Sequence, residues 1–431
     1  MPRAWAVAAA LLCAGCALFL GSDSERLAKW QGQTVSLRGL TFRHPVTLRW
    51  VDESEMKQVL LEESDAELTP AKVIPERDAL AALGALPPDV DLAKEMVGLY
   101  ASQAAGIYSP RRSTLFVNQS NMGELKSLVI GPIVVHELTH ALQDQNFPGI
   151  LDLLLGLEDQ DDVARALQGT VEGDATVTML GAMPGVDAKA DRMHLAEAVR
   201  DSMLKELDDR SSEFGRAPRL LAVSLVFPYA YGTVIAASHW DTAGNAGLDA
   251  LLVEPPLSTL EVLHPEAHPA VEFVKLPDDL APEGCTLDYA NVAGALLVRV
   301  LFEATLYAAE REALVSAWRG DRYAKLGCGD QWEFVWLTRW SAPEAAERFA
   351  KVYDSLAPGI AARTPLRGPA QVVVRGRTAL VVTPGLQPRA DAILQGAHIR
   401  AYEHFSDWVA GGCYPDVACP SRATVQRAGL K

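Results

Sequence analysis

Two histidines four residues apart, with a glutamate beside the first, form the run His136-Glu137-Leu138-Thr139-His140, and this run constrains the chain more than any other feature. Residues four apart on a helix share one face, so the spacing predicts a helix that turns both imidazoles toward one point, with the carboxylate alongside. That is the ligand spacing of a hydrolytic zinc site. Histidine is scarce, nine residues in 431, which gives the pentad weight as a pattern. Pro132 limits where the helix begins, because proline fits a first turn and disrupts an interior. The predicted start is Gly131 or Pro132, with a kinked helix from near Met122 as the alternative, and the end falls near Asn146, before Pro148. Val134, Val135, Leu138 and Leu142 would form its core side.

Zinc in a catalytic site takes three protein ligands and leaves a position for water, so a third ligand is required. Asp144 continues the series 136, 140, 144 but stands two helical turns, about 11 Å, from His136, too far to share the metal. It suits a hydrogen bond to His140 or a solvated helix end. The pattern Val163, Leu167, Val171, Thr178 predicts a second long helix over 161–183, which carries Glu172 and Asp174. Glu172, with Gly173 beside it to permit a close helix crossing, is the preferred third ligand and Asp174 the alternative.

The remaining pattern is that of a globular exported chain. With 39 Lys+Arg against 55 Asp+Glu the formal charge is −16, which argues against a nucleic-acid partner. Arg3 followed by an apolar run over 4–20 has the layout of a secretory signal, so residues 1–21 are expected to be a signal peptide. Leu12-Cys13-Ala14-Gly15-Cys16 resembles a bacterial lipobox, with Cys16 as the residue to be lipidated and anchored to a membrane. An ordinary cleaved signal and an uncut short anchor are the alternatives. Beyond it stand Cys285, Cys328, Cys413 and Cys419, an even set that fits disulfides in an oxidising compartment; 413–419 could close a small loop and leave 285 to pair with 328, and nothing in the sequence fixes that connectivity.

Strands are predicted over 34–40, 46–51, 113–117 and 332–338, a hairpin over 371–382, and helices over 53–63, 89–105, 188–209, 291–309 and 343–356. A further buried helix is expected around 227–237, and 255–269 reads as an irregular loop. The fold class is α+β: a catalytic domain over 27–276 with the motif helix and a strand ahead of it, a smaller α+β region over 282–385, and a C-terminal segment over 386–431.

The run from Val135 to Gln145, followed by Glu172-Gly173-Asp174-Ala175, resembles a family of prokaryotic secreted or lipid-anchored, gluzincin-like zinc metallopeptidases. The likeness extends to Ala105-Gly106-Ile107-Tyr108-Ser109-Pro110 with Leu115-Phe116-Val117, to Phe227-Pro228-Tyr229 and to 255–265, roughly residues 90–270; Asn146 departs from a frequent His. The resemblance implies a zincin-like domain binding Zn2+ through His136, His140 and Glu172, with Glu137 as general base. It also implies a peptide or protein substrate, and His264, Tyr229 or Tyr231 as hydrogen-bond donor to the developing oxyanion. Two rival readings stand beside it: a non-catalytic zinc-binding envelope or assembly protein, and a zinc amidase acting on cell-wall material. The strand at 115–117 is expected either to pair with an extended substrate or to be an ordinary core strand.

Overall fold

The computed structural model describes residues 22–64, 68–103, 105–118, 126–157, 159–185 and 192–415. The expected signal peptide, Cys16 and Cys419 lie outside the described residues. The chain is a mixed α+β structure, as its patterning predicted.

Helix α1 (Asp23–Arg38) replaces the strand expected at 34–40. Its start is set by a reciprocal cap: the Ser22 side chain accepts from the Glu25 N–H while the Glu25 carboxylate accepts from the Ser22 N–H. Gly39, at φ 76°, ends it in the left-handed region. The buried residues Trp30, Thr34 and Arg38 recur every four positions, so a helical period prevails over the apparent alternation.

A three-stranded sheet follows in the order β1-β3-β2, with β1 (Thr47–Val51) parallel and β2 (Gly106–Ser109) antiparallel to β3 (Thr114–Asn118). The segment at 115–117 is therefore the central strand, paired on both sides, which removes it as an edge for substrate. The chain then enters α2 (Lys126–Asn146), which begins before Pro132 and carries that proline inside. An interior proline costs about 3 kcal/mol. The cost is offset because Ile130, Val134, Leu138 and Ala141 are buried in one cluster with Leu115, Val117 and Trp30.

Helices α3 (Asp161–Gly181), α4 (Arg192–Asp208) and α5 (Arg219–Ala243) complete the helical half. By length and apolarity α5 would suit a membrane span, yet 67% of its apolar window is buried in the molecule. It packs on α3 through glycines. A Cβ at Gly173 would stand 2.1 Å from the Gly232 carbonyl oxygen, and one at Gly232 would stand 2.1 Å from that of Gly169. Only glycine allows the two backbones this close.

In the second half β4 (Val271–Lys275) precedes a five-stranded antiparallel sheet, ordered β5-β6-β7-β9-β8. Its strands are β5 (Thr286–Asn291), β6 (Trp318–Cys328), β7 (Gln331–Trp340), β8 (Gln371–Arg375) and β9 (Thr378–Val382), the last two forming the predicted hairpin. Helix α6 (Pro343–Ala361) lies on it, Phe349 and Tyr353 packing on Trp336. The long helix expected at 291–309 is two short ones, Gly294–Leu301 and Ala308–Ser316. Cys285 and Cys328 are joined by a disulfide, and Cys413 is disulfide-bonded as well.

Packing runs across the boundaries expected near residues 276–282 and 385. Strand β10 (His398–Tyr402) pairs with β4, and Leu83, Leu167, Phe273, Trp336 and Trp408 share one buried cluster.

Candidate metal centre

His136 and His140 sit one turn apart on α2, and Glu172 reaches them from α3, which packs across it. Their facing atoms form a small triangle. His136 Nε2 lies 3.2 Å from Glu172 Oε2, His140 Nε2 lies 3.4 Å from the same oxygen, and the two imidazole nitrogens are 3.1 Å apart. A tetrahedral zinc ion with bonds of about 2.0 Å to nitrogen and oxygen has ligand–ligand edges of about 3.3 Å. The triangle therefore has the dimensions of one face of such a tetrahedron. The three side chains are the one such group among the described residues that could hold a metal ion.

The donor set is also chemically suited to a cation. Gln143 is wholly buried and donates through its Nε2 to the Val171 carbonyl at 2.9 Å and to Asp174 Oδ2 at 2.8 Å. Its Oε1 therefore faces His140 Nδ1, at 2.8 Å, so that nitrogen carries the proton and Nε2 presents a lone pair. A lone pair, a second imidazole nitrogen and a carboxylate oxygen thus converge with only 13%, 10% and 14% of their side chains exposed. Burial alone would push His140 toward its neutral form, but the Glu172 charge reverses this and raises its pKa to about 9, so in the metal-free chain Nε2 holds a proton and offers its lone pair only when a cation displaces it. Burial would likewise raise Glu172, yet His140 and His136 hold its carboxyl far below the usual carboxylate range.

Glu137 lies beside this triangle under β2. A Cβ at Gly106 would come within 2.8 Å of Glu137 Cγ, so the glycine lets the strand cross directly over the carboxylate. The Tyr108 backbone lies close enough to that carboxylate to favour its charged form. Burial raises the Glu137 pKa, with His136 and His140 opposing. From α5, Tyr229 stacks on His136, ring centroids 6.1 Å apart, and its phenol lies within electrostatic reach of the Glu172 carboxylate. Burial and the Glu172 and Glu137 charges push its pKa well up, so the phenol keeps its proton and remains a donor.

His264 stands apart from this group. It caps the short helix Thr259–Leu263, with Nδ1 3.6 Å from Glu266 and Nε2 3.9 Å from Glu312, and its contacts among the described residues do not include the triangle. Asp144 accepts from the Tyr108 hydroxyl at 2.9 Å instead of supporting His140. Asp174 is no ligand: its Oδ1 accepts from Arg38 Nε at 2.7 Å and its Oδ2 from Gln143. The residue that supports His140 is Gln143, three positions on and so on the same helical face. That spacing was readable in the sequence; the approach of Arg38 from α1 was not.

A family described as a domain of unknown function (DUF8575) matches residues 232–393, which begins within α5 and leaves His136, Glu137, His140 and Glu172 outside. No curated protein and no solved structure matched the chain.

Proposed function

We propose that this chain is a zinc-dependent peptidase with a zincin-like catalytic half, exported and tethered to a membrane through Cys16. The observation that carries the reading is the triangle of His136 Nε2, His140 Nε2 and Glu172 Oε2, with edges of 3.1–3.4 Å, beside the buried carboxylate of Glu137, which forms no ion pair among the described residues. His136, His140 and Glu172 would hold the metal. Bound zinc supplies a Lewis acid that acidifies a water and polarises a carbonyl.

The remaining chemistry belongs to the protein. Glu137, kept above the ordinary carboxylate range by burial, is suited to take a proton from the attacking water and pass it to the departing amine. Tyr229, stacked on His136 and carrying a protonated phenol, is the better placed of the two candidates to donate to the forming oxyanion. The near-complete enclosure of the triangle favours one competing reading, a metal site serving structure alone.

Two measurements decide between them. Metal stoichiometry by native mass spectrometry is expected to give about one zinc per chain, lost in His136→Ala and in Glu172→Ala. Hydrolysis of a peptide library is expected to fall by 10²-fold or more in Glu137→Gln with zinc retained. Zinc binding with no Glu137-dependent hydrolysis would establish the structural site and remove the peptidase.

A further inference from the structure

The buried polar groups behind His140 form a continuous chain that leaves the site altogether. His140 Nδ1 donates to Gln143 Oε1 at 2.8 Å, and Gln143 Nε2 donates to Asp174 Oδ2 at 2.8 Å. Asp174 Oδ1 accepts from Arg38 Nε at 2.7 Å, and Arg38 Nη2 reaches Asp249 Oδ1 at 2.7 Å. Gln143 and Arg38 are fully enclosed, and the Asp174 side chain is 1% exposed. The chain joins four helical segments: α2, α3, α1 and the helix Asn245–Val253.

From this geometry we infer that Gln143 and Asp174 are positioning residues for the metal ligand His140, and that Arg38 on α1 holds the far end of their relay. The inference rests on the metal-centre reading above. Its physical basis is the direction of each bond. A glutamine amide has one acceptor and two donors, and here Val171 and Asp174 consume both donors. The amide cannot flip without facing its N–H groups toward the imidazole N–H and turning its oxygen onto the Val171 carbonyl and Asp174. His140 is thereby locked as the tautomer whose Nε2 lone pair faces Glu172 and His136. The negative charge of Asp174, transmitted through the polarised amide, makes that lone pair a better donor to a cation. Arg38 Nε, donating to Asp174 Oδ1 at 2.7 Å, holds that carboxylate in place. A helix at the far N-terminal end of the catalytic half, about 100 residues before the motif, thus sets the quality of a metal ligand.

The test measures zinc affinity by chelator competition and the His140 tautomer by 15N–1H imidazole correlation, in wild type, Gln143→Met, Asp174→Asn and Thr170→Val. Thr170 is buried on α3 and, among the described residues, its hydroxyl bonds to the Ala166 carbonyl alone, so its variant loses a buried hydrogen bond in the same helix without touching the relay. Gln143→Met is expected to weaken zinc about 10–100-fold and, in the metal-free protein at a pH high enough to make His140 neutral, to show both of its imidazole tautomers. Asp174→Asn keeps the shape and is expected to preserve the tautomer while weakening zinc by a smaller factor, and it carries the test if the Met variant does not fold. Thr170→Val should lower the melting temperature and leave zinc affinity unchanged. Zinc affinity within about threefold of wild type in both relay variants, or an equal loss in Thr170→Val, overturns the inference while leaving the metal centre standing. Failure of the wild type to bind zinc removes the metal centre and the relay together.

Discussion

At the scale of single residues, the site divides into groups that spacing reveals and groups that only packing reveals. His136, Glu137 and His140 were legible because a helix converts a sequence interval into a direction. Glu172 was chosen as a carboxylate on a second helix and partly from the family resemblance; Gly173, expected to ease the approach to the motif helix, instead meets the Gly232 carbonyl of α5. Tyr229 and His264 were both candidates for the oxyanion donor, and no local pattern separates them, since each role depends on where a distant helix docks. The structure gives Tyr229 the contact with His136 and Glu172 and gives His264 the contacts with Glu266 and Glu312. Tyr229→Phe is therefore expected to lower kcat about 10²–10³-fold with zinc content intact, the loss typical of one oxyanion donor. His264→Ala should leave kcat within about threefold of wild type. Steady-state kinetics on a cleavable peptide would measure both, and the reverse ranking would return the role to His264.

At the scale of elements, the misread strand at 34–40 shows what local patterning omits. Its residues alternate acceptably, but Trp30, Thr34 and Arg38 face the core together only as a helix, and the partners they meet, Gly131 beside Trp30 and Asp174 beside Arg38, lie about 100 residues or more away. Strand β6 escaped notice for a related reason. Arg319, Asp321, Arg322 and Lys325 interrupt its apolar residues, and the structure satisfies Asp321 with the N–H groups of Ala293 and Gly294 and the indoles of Trp318 and Trp336. The α3–α5 crossing is the element contact on which the metal centre most depends, because it places both Glu172 and Tyr229. Gly232→Ala puts a methyl 2.1 Å from the Gly169 carbonyl, forcing the helices apart. The expected cost is about 1–3 kcal/mol, together with weaker zinc binding as Glu172 withdraws. Gly32→Ala on α1, where a Cβ meets nothing within 4 Å, should instead be neutral or stabilise by up to about 1 kcal/mol. Thermal melts of the two variants would check the contrast, and equal shifts would refute the account of the crossing.

For the molecule as a whole, the interface between the helical half and the large sheet is built on buried acids, and these make stability depend on pH. Asp162, in the first turn of α3, accepts from the Thr259 N–H and hydroxyl and stands near Asp321 across the junction. Burial raises its pKa to about 7, Thr259 opposing and Asp321 adding to the shift. Glu261, on the helix Thr259–Leu263, is likewise raised by burial to about 7. The sign follows from proton counting: between about pH 4 and 7 the folded state retains protons that the unfolded chain has released, so stability falls as pH rises through that window and levels above it. For Asp162 alone the decline is on the order of 2–4 kcal/mol. Asp162→Asn preserves the acceptor oxygen for Thr259 and removes the ionisation, so its stability should vary less over the same window and exceed that of the wild type near pH 8. Urea unfolding at pH 5, 6, 7 and 8 measures both curves, with the Glu261 contribution remaining in the variant as a shallower slope. Parallel curves would mean that Asp162 is solvated in the folded chain and that the junction is looser than its packing implies.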